Sequence, residues 1–189
     1  MPNTAEASPD HGYQISPFLP LLVGVAACGL SRHHRTQPGS RRAVSGAGVF
    51  ERASRLGIPC ELFTKEEWNT GDRIDSILSE YNPDLIVLAG FLWKFPSRML
   101  YQFPHVINVH PALLPKFGGK GMYGIHVHEA VLANNETETG ITIHFVNENY
   151  DEGNIIFQKK VALLISDTPE VVAEKIHELE QKYFPGVIE

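Results

Sequence analysis

The segment VINVHPALLP carries an asparagine and a histidine two residues apart, Asn108 and His110, at the end of an apolar run that meets Pro111 and then Pro115. Proline gives a sheet no donor and fixes its own φ, so an extended segment must stop there. Residues i and i+2 of a strand share a face, which presents Asn108 and His110 together at a rigid exit. Asp151 stands further along, in the polar stretch 147–153 between two strand-like runs, from which it could return toward His110. These three types suit a group transfer. Histidine moves protons near neutral pH. A carboxylate partner raises its pKa and fixes its tautomer. An asparagine amide can donate to an oxygen that turns negative in a tetrahedral intermediate. There is no GxSxG elbow, and Cys60 sits in an apolar run. Direct transfer to an external amine therefore fits better than an acyl-enzyme.

Other readings of the same residues stay open at this level. A histidine at a strand end is commonly a satisfied polar side chain and nothing more. His110, His126, His128 and His144 are also four potential metal ligands, as a metal-dependent hydrolase would need. Against that, His126 and His128 fall two apart in a helical pattern, so their rings diverge by about 200°, and no metal is expected. The glycines of FGGKGMYG lack the GxxxxGK[ST] spacing of a phosphate loop and read as a mobile connection.

The elements that must position these residues follow from periodicity. GVFERASRLG predicts a helix closed by Gly57, and IPCELF a short strand after it. DRIDSILSEY sets Ile74, Ile77, Leu78 and Tyr81 on one helical stripe. DLIVLAG is a continuous apolar run, as in a strand covered on both faces. FPSRMLYQFP predicts a short helix or turn, VINVH a strand and HVHEAVLAN a helix. GITIHFVNE and NIIFQKKVAL then predict two successive strands. In SDTPEVVAEKIHELEQKYFP, Asp167 or Thr168 caps a last helix, Pro169 suits its first turn and Pro185 ends it. Helices alternate with strands until two strands follow each other. This predicts one α/β domain whose sheet is mostly parallel, with antiparallel strands toward the C-terminus. Ligands gather at the carboxyl ends of strands in such sheets, where Asn108 and His110 lie.

Bulk properties narrow the partners. The 189 residues carry 43% apolar and 20% charged side chains, ordinary for one globular domain. A net charge of -6 argues against nucleic acid or an anionic membrane as main partner. Two cysteines, Cys28 and Cys60, make no disulfide framework. The apolar run 19–28 has the length of an export-signal core, but Glu6 and Asp10 precede it where a positive start is required. A buried strand is the plainer reading, and a cytoplasmic location the expectation. Residues 1–46 differ in texture from the rest, and their Arg32, Arg35, Arg41 and Arg42 read as a solvated loop.

VLAGF, INVHPALLP, HEAVLAN, GITIHFVNENYDEGNII and the terminal helix with ELEQKYFP occur in unbroken order over about residues 48 to 189. Together they resemble the phosphoribosylglycinamide formyltransferase family. The resemblance implies a Rossmann-like formyltransferase fold, monomer or homodimer, with 10-formyltetrahydrofolate as co-substrate and glycinamide ribonucleotide as acceptor in purine biosynthesis. It implies catalytic roles for Asn108, His110 and Asp151. Formyl-folate contacts are implied for Lys65, Leu92, Trp93, Lys94, Phe95, Asn147 and Tyr150, and acceptor contacts for Pro111 and Glu180. Asn108 and a protonated His110 are expected to stabilise the oxyanion, with Asp151 raising the His110 pKa. His144 is expected either to support Asp151 or to face the core. Family members open with an apolar strand and a Ser-Gly-x-Gly-[ST]-Asn phosphate loop, which residues 1–46 do not match. The expectation is that this first strand and loop are missing and that the chain is impaired toward the ribonucleotide. A non-catalytic folate-binding remnant is the corresponding alternative.

Overall fold

The computed structural model describes residues 22–25, 48–61 and 63–189. Among the described residues five strands form one sheet in chain order: β1 (Leu22–Val25), β2 (Leu85–Ala89), β3 (Val106–His110), β4 (Glu138–Phe145) and β5 (Ile155–Ala162). The first three run parallel, and β4 and β5 add antiparallel to β3, as the element order predicted. The expected loss of the opening strand does not hold. Leu22–Val25, inside the apolar run 19–28, pairs in parallel with β2, from Leu22 opposite Leu85 to Val25 opposite Leu88. The readings of Cys28, of the arginine cluster and of the phosphate loop lie outside the described residues.

Period-two alternation splits the core between the two faces of the sheet. Ile86, Leu88 and Val106 pack with Trp68, Ile74, Leu78, Phe95, Met99 and Phe103. That layer is supplied by α2 (Lys65–Thr70), α3 (Asp72–Tyr81) and α4 (Ser97–Gln102). Val87, Ile107, Val109, Ile141 and Ile143 face the other way, against Val172, Ile176 and Phe184 of α6 (Pro169–Ile188). The remaining helices are α1 (Gly48–Leu56) and α5 (Ile125–Ala133). The interior strand β4, next to the edge, is buried at every position from Thr139 to His144, whereas β5 is a largely exposed edge carrying Lys159 and Lys160.

Three local readings are corrected. IPCELF forms no strand in its described residues: Ile58 to Glu61 are exposed and pair with no described strand, so nothing holds them in a ladder. The chain runs instead into α2, a helix that the periodicity did not predict. Thr64 caps it, accepting from the Glu67 N–H at 3.2 Å while the Glu67 carboxylate accepts from the Thr64 N–H at 2.7 Å. Nor does Pro185 end the last helix. It sits in the final turn, where one missing N–H breaks little, and Phe184, Val187 and Ile188 around it pack against the sheet.

The proline turn after β3 is fastened to the antiparallel strands by Thr142. Its hydroxyl donates to the Ala112 carbonyl at 2.6 Å and accepts from the Leu114 N–H at 3.0 Å and from Gln158 Nε2 at 2.9 Å. Gln158 also donates to the Leu114 carbonyl at 3.0 Å. A hydroxyl has one donor and two acceptor positions, and all are used. The exit of β3 therefore has a fixed direction.

Candidate active site

The carboxyl end of β3 presents Asn108 and His110 on one face, and antiparallel pairing sets His144 of β4 directly opposite Asn108. The β4–β5 register shifts between Ile143 and His144, and the connection between these two strands carries Asp151 back over the end of β3. Gly153 makes that return possible: a Cβ there would stand 1.7 Å from the Phe145 carbonyl oxygen. Asp151 itself has φ +57°, a left-handed conformation that aspartate tolerates better than most residues.

Four groups meet at this point. His110, only 3% exposed, donates from Nε2 to the Phe117 carbonyl at 2.8 Å, and its Nδ1 lies 3.6 Å from Asp151 Oδ2. Asp151 Oδ2 also accepts from the Gly119 N–H at 2.9 Å, while Oδ1 is 3.6 Å from His144 Nε2. His144 donates from Nδ1 to the Phe145 carbonyl at 2.8 Å. A carbonyl can only accept, so the neutral ring keeps its proton on Nδ1, and Nε2 accepts from Asn108 Nδ2 at 3.2 Å. Both 3.6 Å contacts are electrostatic, being too long for hydrogen bonds.

Burial pushes the His110 pKa down, against the upward pull of Asp151 and the Phe117 carbonyl, and His144 adds to the lowering. The result lies below the ordinary histidine value, which corrects the expectation of a protonated His110: desolvation outweighs its carboxylate partner. For Asp151, burial acts upward but is outweighed by His144, His110 and the Gly119 N–H, which hold the carboxyl below the usual aspartate range. Burial, with the His110 charge adding to it, likewise lowers His128. Glu180 is raised by burial, against the opposing pull of His177.

Two spaces adjoin the set. One is a cavity of about 520 Å³ bordered by Leu92, Asn108, His110, Pro111, Asp151 and, from α6, Glu180. The other is a narrow groove bordered by Trp93, Lys94, Phe95, Asn147, Tyr150 and again Asn108. Asn108, Tyr150 and Asp151 border both, so a group held between the two ligand volumes would meet them. The structure thus brings together eleven of the twelve residues expected from sequence. Lys65 is the exception: it stands exposed at the start of α2 and borders neither space.

Of the four histidines considered as a metal set, His110, His126 and His144 have other partners, and the buried Nδ1 of His128 has none among the described residues. His126 is exposed and lies 3.1 Å from Glu129, and among the described residues no group of three or more His, Cys, Asp or Glu is arranged to hold a metal ion. Sequence reasoning missed two contributors because the atoms that act there are backbone: the Phe117 carbonyl and the Gly119 N–H. His128 was noticed only as a metal ligand. Its burial beside Val127 and Val131 on α5 leaves no trace in residue spacing.

A family model described as formyl transferase matches residues 42–188. The chloroplastic phosphoribosylglycinamide formyltransferase of Arabidopsis thaliana is 42% identical over 147 residues, covering 75% of this chain and 50% of that protein. The Bacillus subtilis phosphoribosylglycinamide formyltransferase is 33% identical over 147 residues, 75% of this chain and 73% of that protein. The chain spans about half the length of the plant relatives it matches. Among solved structures, glycinamide ribonucleotide transformylase 1 from Symbiobacterium toebii superposes with a TM-score of 0.69 at 32% identity, over 78% of this chain and 68% of that one. The phosphoribosylglycinamide formyltransferase of Streptococcus pneumoniae does so with a TM-score of 0.68 at 31% identity, over 76% and 80%.

Proposed function

The chain belongs to the formyl transferase family, and on that premise we propose that it transfers the formyl group of 10-formyltetrahydrofolate to the amine of glycinamide ribonucleotide. The observation that carries the proposal is the convergence of Asn108, His110 and Asp151 between two ligand spaces at the end of β3. The aromatic side chains of the groove can stack on the flat pterin of the donor, although the groove itself, about 40 Å³, admits only part of it. The larger cavity suits the ribonucleotide, with Glu180 available to its hydroxyls. Trp93 to Phe95, Asn147 and Tyr150 wall the donor side, Leu92 borders the larger cavity beside it, and Pro111 keeps the catalytic strand end rigid. The cytoplasm is the proposed location; two plant relatives are named as chloroplastic, so cell fractionation is the direct check.

The chemistry follows from the hydrogen bonds. The acceptor amine attacks the formyl carbon, and the carbonyl oxygen becomes an oxyanion. Asn108 spends one amide hydrogen on His144, which fixes the plane of the amide and leaves its second hydrogen for that oxyanion. His110 is neutral at rest, with Nε2–H held by Phe117 and the Nδ1 lone pair directed toward Asp151. The proton released by the attacking amine is taken up at Nδ1, and the imidazolium then lies between the Phe117 carbonyl and the Asp151 carboxylate, two acceptors already in position. This cation stabilises the neighbouring oxyanion. As the intermediate collapses, the proton passes to the folate nitrogen, the carbon–nitrogen bond to the folate breaks, and formylated product and tetrahydrofolate remain. No covalent enzyme intermediate is required.

The test is a formyl-transfer assay on the purified chain with both substrates. His110→Ala is expected to lower kcat by about 10²–10⁴, the range for loss of a positioned acid–base group. Full activity in that variant refutes the mechanism.

A further inference from the structure

His110 and Asp151 are tethered to one short segment. The Phe117 carbonyl accepts from His110 Nε2 at 2.8 Å, and two residues later the Gly119 N–H donates to Asp151 Oδ2 at 2.9 Å. Gly118, between them, lies where turn and loop touch: a Cβ there would stand 2.5 Å from Leu114 Cδ2 and 3.2 Å from Asp151 Cβ. A displacement of this turn therefore moves both members of the pair and changes the 3.6 Å between them. The backbone that sets the pair must itself be held.

The hold comes from the edge of the sheet. His110 of β3 stands opposite Thr142 of β4, and Thr142 opposite Gln158 of β5, so the three side chains form one cross-strand row on one face. Gln158 Nε2 donates to the Leu114 carbonyl at 3.0 Å and to Thr142 Oγ1 at 2.9 Å, which uses both hydrogens of its amide. The next two residues do not reach the turn in this way: Lys159 lies over the Tyr183 ring and Lys160 pairs with Glu138. Leu113 adds an apolar seat over Gly140, where a Cβ would approach its Cδ2 to 2.8 Å. Gln158 borders neither of the two spaces assigned to the substrates, so an effect of this residue on the transfer has to pass through the turn.

We propose that Gln158 is a positioning residue for the transfer: from the edge strand, together with Thr142, it holds the proline turn where the Phe117 carbonyl engages His110 and the Gly119 N–H engages Asp151. The inference rests on the formyl-transfer reading for its kinetic consequence. An edge glutamine that only stabilised the sheet would change the amount of folded chain and leave the surroundings of His110 as they are. Loosening the turn instead relaxes the contacts to Asp151 and to the Phe117 carbonyl, the two that favour a proton on His110. The other titratable groups on this side are His144 from β4 and His128 from α5, with Lys120, His177 and Glu180 bordering the same cavity. All of them stay in place in the variants that follow.

Two measurements on the full chain test the proposal. In the first, Gln158→Leu keeps the bulk of an exposed edge residue and removes both donors. Its kcat is expected to fall about tenfold, the equivalent of one ordinary hydrogen bond. KM for both substrates stays within about twofold of wild type, and the acid limb of kcat moves to lower pH. Gln158→Lys, which returns a donor to the same position, recovers most of the kcat. Lys160→Met is the control for the strand: it loses only the ion pair to Glu138, and its kcat stays at the wild-type value. An unchanged kcat in Gln158→Leu, or an equal loss in Lys160→Met, overturns the proposal. The second measurement needs no turnover. The ring signals of His110 are titrated with pH in labelled wild type and in Gln158→Leu, and the midpoint is expected to lie lower in the variant. Identical midpoints overturn the positioning role. A chain that shows the lower midpoint but, as wild type, transfers no formyl group refutes the transfer reading and leaves the contact between Gln158 and the turn standing.

Discussion

Replacing Asp151 by asparagine separates charge from shape at the catalytic set. Asparagine keeps an oxygen to accept from the Gly119 N–H and tolerates the left-handed φ of +57°, so the loop has no reason to move. What disappears is the negative charge 3.6 Å from His110 Nδ1. In a medium of effective dielectric near 20, two unit charges at that distance interact by roughly 4–5 kcal/mol. Partial solvation of the carboxylate reduces this, and about 2–4 kcal/mol of support for the imidazolium is a fair expectation, or roughly a 30- to 1000-fold loss in kcat. The pH profile supplies the sign. Asp151 pulls the His110 pKa upward against burial. Removing the charge therefore lowers that pKa further, and the acid limb of kcat must move to lower pH while the plateau falls. The assay is formyl transfer followed by absorbance of the folate product across pH 4.5–8, a window set by the ordinary histidine value of about 6.5. A plateau within about threefold of wild type, or a limb that moves upward in pH, refutes the reasoning.

Three further outcomes are expected. Thr142→Val removes a fully used buried hydroxyl and strands the Leu114 N–H and the Ala112 carbonyl; denaturant unfolding should show a loss of about 2–4 kcal/mol. Stability should fall as pH drops below about 6.5, because His110 and His128 are buried with lowered pKa values and only the unfolded chain takes up protons at once. Their contribution is complete above that pH and is lost on the way down to their folded values, which thermal melts at constant ionic strength would follow. Glu180 has the opposite sign: burial raises its pKa, so ionising it at neutral pH works against the fold. Glu180→Gln should accordingly melt higher at pH 7 while raising KM for the ribonucleotide, and a lower melting temperature would contradict the burial argument.

The parts of this molecule legible in the sequence are those where one side chain decides the outcome. The continuous apolar run of β2, the stripe of α3 and the Asn108–His110 spacing each record burial or direction residue by residue, and each proved sound. Elements decided by context were not legible. IPCELF has strand composition but no described neighbour to pair with. α2 is only six residues long, too short for a period to register, although Thr64 and Glu67 spell its capping box and Trp68 anchors it. Pro185 looks like a stop signal until the burial of Phe184 and Val187 is counted against one lost hydrogen bond.

The same distinction runs through the site and explains why the protonation of His110 came out reversed. A sequence displays the carboxylate that would charge a histidine, but not the depth at which the pair is held. Asp151 acts on His110 across 3.6 Å, and the carbonyl that holds the ring's other nitrogen belongs to Phe117, whose side chain says nothing about its backbone. Burial enters through Thr142 and Gln158, which pin the proline turn over β3, and through Gly153, which lets the Asp151 loop close against Phe145. None of these residues has a proton-transfer role in the proposed mechanism. They keep His110 buried, which goes with a pKa below the ordinary histidine value, and in the proposed mechanism a neutral histidine between two waiting acceptors is a base that gains its charge only when the amine attacks. In the proposed transfer, the protonation state of the base is thus set by the packing of the turn and loop, and only its location by Asn108, His110 and Asp151.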